Sequence, residues 1–144
     1  MALSQLQVGE LLAALGARTP APASGAAAAL TGALASSLVE LAARYAGDDD
    51  SAELAHALAA RLATLADEDG AAYAAFMADR GDVSRQRTIE IPLEVAGCCD
   101  EAAALGTRVR AQLTSAVAAD AEAGEALALA AAAVARRLAA VNSG

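Results

Sequence analysis

Residues 54–76 set one carboxylate into a line of apolar side chains. Leu54, Leu58, Leu62, Leu65, Ala72 and Phe76 recur at spacings of three and four, the period of one helical face, and Asp69 falls on the same line. An ionised carboxylate facing a core is costly unless paired. It either finds a partner or its pKa rises, and a raised pKa is what a proton-transfer group needs. A slightly rotated helix would instead leave Asp69 at the edge of the stripe. Tyr73 follows one turn later, within reach of that acid or as a wall for a flat ligand, although tyrosine at a core boundary is common.

Asp120 repeats the pattern more weakly. Counting back from Leu127 through Gly124 reaches it at the start of an apolar line, where aspartate is also an ordinary helix cap. Glu90 and Glu94 sit one turn apart around Pro92 and either present two carboxylates to a ligand or, with Glu101, form a solvated face. Upstream, RTPAPASGAAAALTGAL leads two prolines into a run of small residues. Ser24, Gly25 and Ala26 would stand in the first turn of a helix there, whose free N–H groups suit an anion or a polarised carbonyl. His56 reads as a lone surface histidine. Cys98 and Cys99 read as small core residues, and with a single histidine in the chain there is no metal set.

The elements that must carry these residues are helical. Ala and Leu dominate, β-branched residues are scarce and aromatics make up 2% of the 144 residues, so the core must be leucine, valine and closely packed alanine. Five helices read out: about 4–15, from Ser24 to near Gly47, from about 51 to near Arg80, about 83–113 with a kink near Pro92, and from about 119 onward. The acidic run Asp48–Asp50 offers a cap to the third. On the second, Leu30, Leu34, Leu41 and Tyr45 form one face and Gly25, Ala29, Gly32, Ser36 and Ala43 another, so it is apolar all round and reads as buried, with a second subunit needed to complete the burial. On the fifth, Gly124, Leu127, Val134, Leu138 and Val141 read as the packed face. The expectation is one all-α domain over residues 1–144, a five-helix up-and-down bundle with a small-residue central helix.

Composition narrows the function classes. The net charge is −8, every base is arginine, and no basic cluster is interleaved with aromatics, which argues against nucleic acid and against anionic membranes. The N-terminal MALSQLQVGELLAAL lacks a basic leader and carries Glu10, so it reads as a helix, and the apolar run of residues 21–46 is read against a membrane span because its Ala and Gly gain little in lipid and Glu40 and Arg44 fall near its end. Adjacent cysteines fit a reducing cytoplasm.

Three stretches, TPAPASGAAAALTGALASSLVELAARY, LADEDGAAYAAFM and TIEIPLEVAGCCDEAAALG, together resemble the cyclodeaminase/methenyltetrahydrofolate cyclohydrolase family, which includes the C-terminal domain of formiminotransferase-cyclodeaminase. The resemblance implies an all-helical homodimer. Its site would bind a tetrahydrofolate derivative as substrate, without cofactor or metal, and close or open the one-carbon bridge with release of ammonia or addition of water. Asp69 matches the family's acidic position before the aromatic, which is Tyr73 here, and Pro92 and Glu94 match its Pro-Leu-Glu segment. The implied site is Asp69 and Asp120 as catalytic acids, with Ser24, Gly25, Ala26, Tyr73 and Glu94 binding the ligand.

Two departures bear on activity. The family reads Gly-Gly-Gly-Ser where this chain has Ala23, Ser24, Gly25 and Ala26, and added methyl groups narrow a backbone-lined mouth. In place of an Asn-rich loop ending in Ser-Asp the chain has LTSAVAAD, with Asp120 as the surviving acid. The sequence therefore supports two readings, an enzyme making or breaking C–N bonds and an inactive descendant serving as a ligand-binding or scaffold homodimer.

Overall fold

A computed structural model describes residues 1–144. A 3-10 turn at Leu3–Gln5 precedes α1 (Val8–Gly16), α2 (Ser24–Ala46), α3 (Asp49–Asp79), α4 (Asp82–Arg110) and α5 (Ala118–Ser143). The fold is all-α, as expected. Helices α2 to α5 form the up-and-down bundle and α1 lies on its flank with no buried residue. That first helix starts four residues later than its leucine pattern suggested, because Leu3–Gln5 turns separately and the Leu3 N–H bonds to the Asp67 carboxylate of α3 at 3.0 Å.

Short connections enforce the antiparallel order. Gly47, with φ of 70°, ends α2 in the left-handed conformation that glycine adopts freely, and Asp48 then caps α3 by accepting from the Ser51 N–H at 3.1 Å. Its carboxyl is held down at about 2, first by the Gln112 amide and then by Ser51. Arg80 and Gly81 alone join α3 to α4, and residues 111–117 join α4 to α5.

Alanine and glycine set the helix spacing. α2 packs against α3, α4 and α5 through Ala26, Ala29, Gly32, Ala35, Ser36, Val39, Ala42 and Ala43, so the small face is the buried one. A methyl on Gly124 would lie 2.9 Å from the Ala35 carbonyl oxygen and 2.8 Å from Val39 Cγ2, distances that only a bare Cα allows. The packed face of α5 is accordingly Ala121, Gly124, Ala128, Ala131, Ala132, Ala135 and Ala139. This corrects the Leu127–Val134–Val141 face, whose larger side chains point outward because the interhelical gap has no room for them. Leu34, Leu41 and Tyr45 of α2 are likewise exposed in the single chain. α2 is long and apolar enough to cross a membrane, and half of its most apolar window is buried inside the bundle.

Pro92 sits inside α4, which runs on through it as one helix. Its missing N–H deprives the Thr88 carbonyl, four residues back, of its helical donor. The side-chain amide of Asn142, near the end of α5, donates to that carbonyl at 2.8 Å.

Candidate active site

At one end of the bundle the start of α2 meets the middle of α3 and the C-terminal end of α5. A cavity of about 210 Å³ lies there, lined by Pro20, Ala21, Ala23, Ser24, Gly25, Asp69, Tyr73, Thr88, Leu138 and Asn142. The prolines shape the approach, with Ala21–Pro22 in the cis form. The N-cap position is Ala23, which has no side chain with which to cap. The first bond of α2 runs from the Ala27 N–H to the Ala23 carbonyl at 3.0 Å. The N–H groups of Ser24, Gly25 and Ala26 are thus left without protein partners at the positive end of a 23-residue helix.

Asp69 faces them. Its carboxylate rests so close to the Gly25 Cα that a methyl there would overlap it. It is half-buried, neither hydrogen-bonded nor paired with a cation, and burial pushes its pKa up. A half-buried, unpartnered acid in a cavity can hold a proton for a ligand and release it there. Tyr73, partly exposed, stands one turn along α3 at the cavity wall.

The structure therefore brings Ser24, Gly25, Asp69 and Tyr73 to one cavity. Ala26 lies beneath it, fully buried in the core. Glu94 is elsewhere, since the Arg61 guanidinium on α3 holds it at 2.9 Å and Glu68 at 2.8 Å, and that hydrogen bonding keeps its carboxyl below the usual range. Asp120 is placed at the opposite end, because the cavity takes Leu138 and Asn142 from the last turns of α5 and Asp120 belongs to its first. The 18 residues from Asp120 to Leu138 span about 27 Å of helix. Neither acid reaches the cavity within one chain, so Asp69 is the only carboxylate lining it.

Thr88, Leu138 and Asn142 escaped the sequence reading. One signal was present, because a proline at position 92 frees the carbonyl at position 88, and Asn142 is the chain's single asparagine. Outside the cavity, Cys99 is buried and Cys98 half-buried, with burial raising both thiols, Cys99 to about 11. His56 pairs with Glu40 at 3.2 Å on the surface. No three His, Cys, Asp or Glu side chains converge as a metal set.

The bundle closely matches a solved structure, the formiminotetrahydrofolate cyclodeaminase of Thermotoga maritima, with a TM-score of 0.92 at 18% identity over 98% of this chain and 80% of that one. At that identity the likeness is one of fold. No curated protein matches the chain. The family model described as formiminotransferase-cyclodeaminase matches residues 7–144, nearly the whole sequence, and the chain belongs to that family.

Proposed function

We propose that the protein acts on a one-carbon-substituted tetrahydrofolate, or a close chemical relative, by making or breaking a C–N bond at the Asp69 cavity. The observation that carries this reading is the unpaired, half-buried Asp69 carboxyl beside Gly25, in a cavity that the first turn of α2 also lines, in a chain of this family. Ring closure forms a bond from a second nitrogen to the one-carbon unit and breaks the bond from that carbon to ammonia. A neutral Asp69 carboxyl gives the departing amine its proton, and the carboxylate then takes the proton of the attacking N–H, so the acid is regenerated. In the hydrolytic sense water replaces the second nitrogen. The first-turn donors of α2 hold an electron-rich polar group of the ligand, such as a carbonyl oxygen. Sites for drug-sized ligands enclose about 300–1,000 Å³, so a cavity of 210 Å³ takes the reacting end of a folate and leaves its tail outside.

A second reading is favoured by one observation, that Glu94 and Asp120 both lie away from the cavity and leave a single acid in it. On this reading the protein binds its ligand without turning it over, as a homodimer. Folinic acid separates the cases. At about 100 times its dissociation constant it stabilises the fold by about 2.7 kcal/mol, a shift read in a thermal melt, and the absence of a shift with every reduced folate overturns the folate reading. If binding is present, Asp69→Asn decides between the two: an enzyme loses turnover while retaining the thermal shift, whereas the non-catalytic protein has no turnover to lose.

A further inference from the structure

Asn142 is among the polar side chains of the cavity that the proton-transfer reading does not use. Asn142 lines it from the last turn of α5, 73 positions beyond Asp69 in sequence. Its Nδ2 donates to the Thr88 carbonyl at 2.8 Å, and Thr88 is itself buried, so water is a poor substitute for that bond. A carbonyl oxygen only accepts, so the amide must turn its NH₂ end to Thr88, and chemistry alone fixes which end is which. Oδ1 is then left without a protein partner. The backbone is held as well, since the Arg85 guanidinium donates to the carbonyls of Asn142 and Ser143, each at 3.3 Å. The bond from the amide to Thr88 depends on Pro92, because any other residue there would offer an N–H to the same carbonyl.

We propose that Asn142 is a ligand-orienting residue of this site, and that its Oδ1, steadied by the Thr88 carbonyl that Pro92 frees, accepts a hydrogen bond from an N–H of a heterocyclic ligand. The first turn of α2 supplies donors and Asn142 supplies an acceptor. A ring bearing a carbonyl beside an N–H or amino group, as in an aminopyrimidinone, satisfies both. Pro92 and Thr88 act through Asn142 and are positioning residues. The inference deepens the proposed function and rests on the Asp69 cavity being the ligand site.

The test uses Asn142→Leu, Pro92→Ala and the double variant, with folinic acid and free 2-aminopyrimidin-4-one as probes. Asn142→Leu leaves Thr88 unpaired, so it lowers the melting temperature. In the double variant the helix N–H at position 92 satisfies Thr88, and most of that loss is recovered. Binding is not recovered: the dissociation constant of each probe stays about tenfold weaker than for the unaltered chain, the worth of one hydrogen bond at about 1.4 kcal/mol. A purely structural asparagine predicts the reverse, and a double variant that binds both probes within about twofold of the unaltered chain overturns the proposal. If 2-aminopyrimidin-4-one binds and depends on Asn142 while folinic acid does not bind at all, the folate reading fails and this one stands. If neither probe binds the unaltered chain, both are overturned.

Discussion

Asp69 and Gly25 are complementary at the level of single atoms. The carboxylate occupies the space that any larger residue at position 25 would need, so the glycine serves the acid and not the backbone angle. Gly25→Ala should therefore destabilise the fold by about 1–3 kcal/mol as an overpacking change, measured by urea unfolding. The same substitution placed on Asp69→Ala should cost less than half as much, because the two share one space. Equal costs in the two backgrounds would show that the contact does not matter. The acid also makes stability depend on pH. Burial raises its pKa in the folded chain, so between the unfolded and folded values the folded state binds more protons and stability falls as pH rises. Asp69→Asn removes this penalty. It should raise the urea midpoint at pH 7, by a free energy on the order of 0.5–2 kcal/mol, and the gain should disappear below the ordinary carboxyl value of 3.8. A gain that persists unchanged at pH 3 would place its origin elsewhere.

At the scale of the helices, close approach decides more than hydrophobic bulk. The leucine periodicity of α3 correctly placed Leu62, Leu65 and Ala72 inside, with Asp69 between them at the edge of the cavity. On α5 the leucine and valine pattern marks the wrong face, because the axes come close enough that only alanine and glycine fit between them. Periodicity reports which residues share a face and not how far away the neighbouring helix lies. Two glycines separate these effects. Gly124 meets the Ala35 carbonyl and Val39, so Gly124→Ala should cost about 1–3 kcal/mol despite the better helix propensity of alanine. Gly97, on the exposed side of α4, has nothing near the added methyl, and Gly97→Ala should stabilise by about 0.5–1 kcal/mol. Chemical denaturation of both variants checks the pair, and a stabilising Gly124→Ala would refute the account of the α2–α5 spacing.

Across the whole molecule, the cavity and the exposed apolar surface both depend on contacts between distant parts of the chain. Ser24, Gly25, Asp69 and Tyr73 were legible because each is marked by its local pattern. Thr88 and Asn142 were not, because only tertiary packing brings the end of α5 against the proline turn of α4. The surface has the converse property, since what packs α2 inward is small and what it leaves outside is large. Leu34 is 66% exposed, Tyr45 69% and Val8 of α1 71%, and Val8, Leu12, Leu30 and Leu34 line one apolar groove of about 530 Å³ between α1 and the bundle. Apolar surface gathered in this way on a single domain marks a contact face, and with Leu34, Leu41 and Tyr45 of α2 left uncovered the partner we propose is a second copy of the chain. Leu34→Glu puts a charge in the middle of that face without entering the core. Light scattering during size exclusion should find a dimer for the parent chain and a monomer for the variant, with circular dichroism showing the same helix content. If the parent chain runs as a monomer at every concentration, the face is not used for self-association. If the variant remains dimeric, the copies meet elsewhere, and the outward residues of α5, Leu127, Leu129 and Val134, are the next surface to charge.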